Sequence, residues 1–309
     1  MSTRWARAAT MVGLLLALPF TGGIAGAAPW VGLPGHNDVA VSNVDGDANH
    51  TAVSDVSASM NAVQVTNEHA DTNTSSVTND HASNNGTAVH NENADSNDTA
   101  VTNHDAVANG TAVHNEDADN NDTAVTNDQS ADNGTTVHNQ DADSNSTAIG
   151  NDTSAHNTTT VANHDADANN TGIANHHSAN NAVAVSNHHA DDNDTAVTNN
   201  HAVDNAVVVS NTGSDDNASA VDNSHSAHTT SVVSNLASHH NDTAIANHDT
   251  TAATTVVSNN SSHGNTTAVN NDHTSSDTTT VVASNGSDNN TTTVSNTGHG
   301  NTTVVSHEG

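Results

Sequence analysis

The sequence predicts an all-β protein: a β-solenoid built from 12-residue repeats, with two strands and 24 residues in each coil. Three observations predict it: a Val or Ile every twelve residues, an alternating set of fixed positions around it, and an Asp that recurs every 24 residues. An ordinary globular core is excluded, because the 309 residues include only two Trp, one Phe and no Tyr.

The N-terminal segment has the pattern of a cleaved export signal. Two arginines precede an apolar stretch at 11–20, and a run of small residues follows it. About ten apolar residues are too few for a membrane anchor, which needs about twenty. We therefore expect cleavage after Ala27 or Ala28 and a secreted protein, extracellular or held at the cell surface. The predicted divisions of the chain are a signal peptide at 1–28, a linker at 29–36, the repetitive solenoid at 37–307 and a tail at 308–309.

The tandem repeat is the main signal in the sequence. A Val or Ile occupies every twelfth position from Val41 to Val281, after which the phase slips once and continues through Val294 and Val305. Asn stands four residues before this position and two residues after it in most units, which gives the repeat N-x-T-A-V-x-N-x-x-A-x-x. Repeats of this length are typical of solenoids.

Within each unit, Asn, Thr, Val and Asn are two residues apart, which is the alternation of a strand with one fixed face. The interleaved positions vary freely, so we assign the four fixed positions to the interior. A small residue five positions after each Val, such as Ala94 or Ala106, predicts a tight turn. The predicted inward ladder includes Asn85, Thr87, Val89, Asn91, Asn97, Thr99, Val101, Asn103, Asn109, Thr111, Val113 and Asn115.

An Asp six residues after alternate Val positions indicates that each coil has two different turns. These residues are Asp47, Asp71, Asp95, Asp119, Asp143, Asp167, Asp191 and Asp215. Carboxylates stacked about 4.8 Å apart repel one another, and hard cations with oxygen ligands relieve that repulsion. The column therefore predicts Ca²⁺ binding, with a solvated Asx-type turn as the alternative.

Histidines also share columns. One column is an exposed strand position and the other is a turn position, and stacked imidazoles are able to bind transition metals or titrate together near pH 6. The alternative is a solvated polar surface. The strand column holds His90, His114 and His138, and the turn column, a candidate metal site, holds His177, His201 and His225.

The unit N-x-T-x-V-x-N resembles the repeats of curli-type fibre subunits, in which N-x-A-x-[VI]-x-Q places alternating residues inside a two-strand coil. The resemblance covers Asn37 to about His307, with Asn where the family usually has Gln and without the family's glycines and aromatics. It implies a self-assembling fibre, a functional amyloid, or a subunit of a surface matrix. The partner is then a second copy added end to end, or a matrix component.

Composition excludes several other functions. No Lys or Arg follows residue 7, so the chain lacks the cations that bind nucleic acid or anionic membranes, and we expect no membrane insertion. No unique segment stands out to form a catalytic pocket, so no enzyme is predicted. Two alternatives remain: an ice-binding solenoid with an outward Thr-x-Val array on a twelve-residue coil, and a disordered acidic, His-rich protein that binds cations.

Charge and chain ends together predict assembly that acid promotes. The 35 carboxylates oppose addition of another subunit at neutral pH, whereas charging the 24 His toward pH 5 reduces that repulsion. We expect that neither 29–35 nor Ser306–Gly309 caps the open edges of the terminal coils.

Overall fold

The computed structural model describes residues 16–21, 30–32, 38–44, 50–56, 60, 62–69, 72–275, 279–285, 289 and 291–308. Within these ranges the chain forms 25 strands and no helix, and parallel strands stack to form a β-solenoid. The predicted all-β fold class is confirmed.

Odd-numbered and even-numbered strands form two separate parallel sheets of 13 and 12 strands, here called the odd sheet and the even sheet. The odd sheet contains β1 (Leu16–Thr21), β3 (Asp38–Val44), β5 (Ala62–Glu68), β7 (Gly86–Glu92), β9 (Gly110–Glu116), β11 (Gly134–Gln140), β13 (Thr158–His164), β15 (Ala182–His188), β17 (Ala206–Thr212), β19 (Thr230–Leu236), β21 (Thr254–Asn260), β23 (Thr279–Asn285) and β25 (Thr302–Glu308). The even sheet contains β2 (Trp30–Gly32), β4 (His50–Val56), β6 (Thr74–Asp80), β8 (Asp98–His104), β10 (Asp122–Asp128), β12 (Ser146–Asp152), β14 (Asn170–His176), β16 (Asp194–Asn200), β18 (Ala218–Ser224), β20 (Asp242–His248), β22 (Thr266–Ser275) and β24 (Thr291–His299).

Each strand pairs with the strand 24 residues away rather than with its neighbour in sequence. In the odd sheet, for example, Val113 of β9 lies opposite Val89 of β7 and Val137 of β11. One coil is therefore strand, turn, strand and turn, as the 24-residue alternation of Asp predicts. The twelve-residue coil required by the ice-binding alternative is wrong, because consecutive strands lie in different sheets.

The core is a narrow double column of β-branched side chains. Burial alternates along the strands, and in β9 the buried residues are Thr111, Val113 and Asn115. Val and Ile suit this position because a β-branched side chain packs well on a pleated surface. The outward Ala and Gly of the same strands face solvent, so Thr-x-Val pairs line the interior and form no outward array.

Every turn uses left-handed backbone at two positions. Between β9 and β10, Asp117 has φ 47° and Asn120 has φ 57°, and the buried Ala118 lies between them. Asn, Asp and His adopt this conformation more readily than most residues. This requirement accounts for much of the Asn, Asp and His in the repeat, and the small residue fills the inside of the corner.

The structure moves the phase slip. Val257 of β21 lies opposite Val282 of β23, and Val256 lies opposite Val281. Val282 is therefore the core residue, fully buried, and the assignment of Val281 to the repeat is wrong. The extra residue precedes β23, and the pairing of β22 with β24 also shifts register between Asn271 and Thr274.

The N-terminal divisions of the chain remain predictions. β1 lies inside the predicted export signal and pairs with β3, and β2 lies inside the predicted linker and pairs with β4. The cleavage positions Ala27 and Ala28 lie outside the described residues. Among the described residues, no helix is both long and apolar enough to cross a membrane.

Candidate functional site

Two Asn ladders run along the interior, one behind each sheet. In the odd sheet, Nδ2 of Asn67 donates to Oδ1 of Asn91, and Asn91 donates in the same way to Asn115, both at 2.8 Å. The even sheet repeats the arrangement, with Asn103 donating to Asn127 at 2.8 Å. Each bond contributes about 1 kcal/mol net, and the chain of parallel amides fixes the register between coils. The Asn ladder predicted from the repeat is present.

The Asn four residues before each core Val acts differently, because its side-chain oxygen accepts a backbone N–H. The N–H of Asn85 donates to Oδ1 of Asn109 at 2.9 Å, and the N–H of Asn109 donates to Asn133 at 2.8 Å. These Asn side chains are buried. They satisfy backbone groups at the start of each strand, where burial without a partner costs about 1–3 kcal/mol.

The turns after the odd-numbered strands form the Asp corner, which comprises turns such as 117–121 and 141–145. Here the N–H of each Asp donates to the Asp carboxylate one coil earlier: Asp143 to Oδ1 of Asp119 at 2.6 Å, and Asp167 to Oδ1 of Asp143 at 2.7 Å. The carbonyl of the preceding small residue is free to turn inward, and Ala118 O accepts Nδ2 of Asn121 at 2.6 Å.

The turns after the even-numbered strands form the His corner, which comprises turns such as 129–133 and 177–181. Here the N–H of Ala131 donates to the carbonyl of Ala106 at 3.1 Å, so backbone pairs with backbone. The peptide that follows the small residue therefore makes different bonds at the two corners. An Asp is needed only where its N–H lacks a backbone acceptor, which explains why Asp recurs at 24 residues rather than 12.

The predicted Asp column is thus part of the backbone hydrogen-bond system. Asp191 and Asp215 continue it, and the N–H of His239 donates to Oδ1 of Asp215 at 2.7 Å. Asp95 accepts the N–H of Asp119 at 2.8 Å. Asp47 and Asp71 lie outside the described residues. Ca²⁺ binding along the column remains a prediction, and one oxygen of each of these carboxylates already has a backbone donor.

The strand column of histidines stacks in parallel on the outer face of the odd sheet. Ring centroids are 5.1 Å apart for His90 and His114 and 5.0 Å apart for His114 and His138. Nε2 of His114 lies 3.4 Å from Oε2 of Glu116. Burial between the neighbouring rings lowers the pKa of His114, and the adjacent His138 and His90 act in the same direction, while Glu116 opposes them.

The turn column is interrupted by a residue that the sequence interpretation missed. Nδ1 of His176, the last residue of β14, lies 3.0 Å from Nδ1 of His177. His177 stacks on His201 and His201 stacks on His225, with centroids 5.0 Å apart in both pairs. Ligand nitrogens of His176, His177 and His201 all lie within 4.8 Å of one another. Nε2 of His225 instead lies 3.4 Å from Oδ2 of Asp249.

Electrostatics around this cluster favour neutral imidazoles beside a charged carboxylate. Desolvation lowers the pKa of His201, and the charges of His177, His225 and His176 add to that effect. Oδ1 of Asp152 lies 3.0 Å from Nδ1 of His176, and this hydrogen bond lowers the pKa of Asp152.

A second cluster of His and Asp lies three coils further along the same corner. Asp272 separates its two imidazoles: Oδ1 lies 2.9 Å from Nδ1 of His273, and Oδ2 lies 3.3 Å from Nδ1 of His248. Sequence reasoning missed this group because its residues do not share one column. The signal that identifies both clusters is chemistry at two adjacent positions, the last strand residue and the first turn residue, as in the dipeptide His176-His177.

These features define a structural repeat protein of the β-solenoid class. No protein-family model matches the chain, and no curated protein matches it. Among solved structures, the A-module of a mannuronan C-5 epimerase from Azotobacter vinelandii is similar over 88% of this chain and 91% of that one, at 10% sequence identity and a TM-score of 0.27. A similarity at that level carries no argument about activity.

Proposed function

We propose that the protein is a secreted, curli-like fibre subunit that assembles by stacking the coils of one copy on the coils of the next. The observation that carries the proposal is the uniformity of the interface between coils. β9 on β7 and β11 on β9 pair in the same register, with the same Val and Asn side chains facing one another. A coil from a second copy satisfies the same interface.

The outer edge of β25 supplies such a surface. No described strand pairs with that edge, and unpaired backbone groups there are templates for another chain. Val305 occupies the core column opposite Val282, yet it is 45% exposed whereas Val282 is fully buried. An added coil would bury this surface and continue both Asn ladders. At the other end, cleavage of the predicted signal would remove β1 and uncover the edge of β3.

Charge gives the proposed assembly its pH dependence. The formal net charge at pH 7 is −33, and no Lys or Arg occurs in the solenoid to offset it. Thioflavin fluorescence and light scattering at pH 5 and pH 8, at constant ionic strength, test this. Faster growth at pH 5 supports the charge-gated fibre, and equal rates refute acid gating.

A matched pair of substitutions in β25 tests the stacking itself. Val305→Asp places a carboxylate where the next coil would bury it, and an unpaired buried charge costs several kcal/mol. Val304→Asp changes the net charge equally but occupies the alternate, outward position of the same strand. We expect elongation to stop in the first variant and continue in the second. Equal elongation of the two variants would overturn end-to-end growth.

A further inference from the structure

We propose that His176, His177 and His201 form a binding site for a first-row transition-metal ion such as Zn²⁺ on the His corner. The inference does not depend on fibre assembly, since all three residues belong to two adjacent coils of one chain. It also differs from a uniform column of stacked histidines, because His176 is a ligand and His225 is not.

The backbone brings the three imidazoles together. His176 ends β14, and the left-handed conformations of His177 (φ 49°) and His201 (φ 53°) place both residues at the same point of successive turns. The ring centroids of His176 and His177 lie 4.0 Å apart and those of His177 and His201 lie 5.0 Å apart. One turn residue, one strand residue and the next coil thus converge on one spot.

The nitrogen spacing fits a shared ion. Two imidazole nitrogens bound to one Zn²⁺ at about 2.0–2.1 Å lie roughly 3.0–3.4 Å apart in tetrahedral or octahedral geometry. Nδ1 of His176 and Nδ1 of His177 are already 3.0 Å apart. The nitrogen of His201 lies within 4.8 Å of both, and rotation of an exposed side chain closes that gap.

The chemistry of the donors selects the ion. Imidazole is a preferred ligand of Zn²⁺, Cu²⁺ and Ni²⁺, whereas Ca²⁺ takes oxygen ligands. The carboxylate of Asp152, one coil earlier and 3.0 Å from Nδ1 of His176, supplies a compensating negative charge beside the bound cation.

The other histidine groups lack this arrangement. His90, His114 and His138 stack with their rings parallel, so successive nitrogens follow the coil spacing instead of converging on one point. In the second cluster, Asp272 already lies between His248 and His273 and contacts both.

The experiment is calorimetric titration of the full chain with ZnCl₂, with CaCl₂ as the comparison ion. The variants use residues that the chain itself places at equivalent positions: His176→Asn, His177→Gln and His201→Gln, with His225→Gln and His114→Ser as controls. Loss of an outer-shell group weakens metal binding roughly 10–100-fold, so loss of a ligand should weaken the tightest site at least that much. Both controls should leave that site unchanged, and CaCl₂ should not compete with ZnCl₂ for it.

Two results would overturn the site. One is a His225→Gln variant that binds Zn²⁺ as weakly as His201→Gln while His176→Asn binds normally, which indicates a stacked column. The other is unchanged affinity in all three ligand variants. Should a variant fail to fold, electron paramagnetic resonance of Cu²⁺ bound to the unaltered protein at one equivalent counts the nitrogen ligands. Coupling to at least two imidazole nitrogens supports the site, and its absence refutes it.

Discussion

The backbone N–H of Asp167 donates a 2.7 Å hydrogen bond to Oδ1 of Asp143, its counterpart one coil earlier. The acceptor is a side chain because the carbonyl that serves this purpose at the other corner points inward and pairs with an Asn amide. One side chain in every coil thus completes a backbone ladder. The Asp corner needs an acceptor at this position, and a negative charge is not required by the geometry.

Replacement of Asp143 separates the acceptor from the charge. Asp143→Ala removes the acceptor of the Asp167 N–H and should lower the free energy of unfolding by about 1–3 kcal/mol. Asp143→Asn keeps an oxygen in place and should have a much smaller effect. Chemical denaturation of the monomer measures both.

The His corner supplies the control for this pair. Ala155 occupies the equivalent position there, and its N–H already donates to the carbonyl of Ser130 at 3.1 Å. Ala155→Asp should therefore give no stabilisation. A gain in stability from this substitution, or an equal loss from Asp143→Ala and Asp143→Asn, would contradict a ladder based on acceptor geometry.

Calcium offers a second test of the same column. If the carboxylates bind Ca²⁺, millimolar calcium should raise the melting temperature, and Asp143→Asn should reduce the increase. Calorimetric titration of the unaltered protein measures the binding heat. An unchanged melting temperature and no heat would leave the column with its hydrogen-bonding role alone.

The interior contains hydroxyl groups that differ only in their partners. The buried Thr135 Oγ1 has no hydrogen-bond partner, whereas Thr255 Oγ1 accepts Nδ2 of Asn247 at 3.1 Å. Val183 and Val207 occupy the same inward position in the odd sheet. Thr135→Val should therefore stabilise the fold by about 1 kcal/mol, because it removes an unpaired buried hydroxyl without changing the shape.

Thr255→Val is the matched control for that substitution. It deprives the Asn247 amide of one acceptor and should be neutral or destabilising. Thermal unfolding of the two variants gives the comparison. Equal shifts in the two melting temperatures would show that hydroxyl pairing does not matter in this core.

The stacked strand column makes stability depend on pH. The pKa of His114 is lowered in the fold, mainly by burial, below its ordinary value of 6.5. Above about pH 6.5 the imidazole is neutral in both states, so stability is unaffected. As the pH falls below that value, the unfolded chain takes up a proton that the folded chain resists, and the folded state loses stability.

His114→Ser should therefore lose less stability than the unaltered protein between pH 7 and pH 5. Urea denaturation at several pH values measures the difference, with the values at pH 8 correcting for the change in packing. A parallel loss in both proteins would show that His114 titrates normally. Acid thus acts on this fold in two opposing ways, since it also reduces the repulsion between copies.

The sequence allowed the period and the inward faces to be predicted, because a two-residue alternation and a 24-residue recurrence are linear properties of the chain. The hydrogen bond of Asp143 was not predictable, since it depends on which way one peptide turns. The cluster at His176 was missed because it joins a strand position to a turn position of the next coil. Val282 was assigned wrongly because Val281 beside it also fits the twelve-residue period.

Backbone conformation predicts opposite effects for one substitution at two exposed alanines. Ala168 has φ 56°, a conformation in which a β-branched side chain clashes with its own backbone. Ala148 lies on the outer face of β12, where β-branched residues are favoured. Ala168→Val should destabilise the solenoid by roughly 1–2 kcal/mol, and Ala148→Val should be neutral or stabilising. Asn120 occupies the same turn position with φ 57°, so Ala168→Asn should match or exceed the stability of the unaltered protein. Denaturation of the three variants decides the matter: a similar response to Val at both positions would mean that residue 168 does not hold the left-handed conformation.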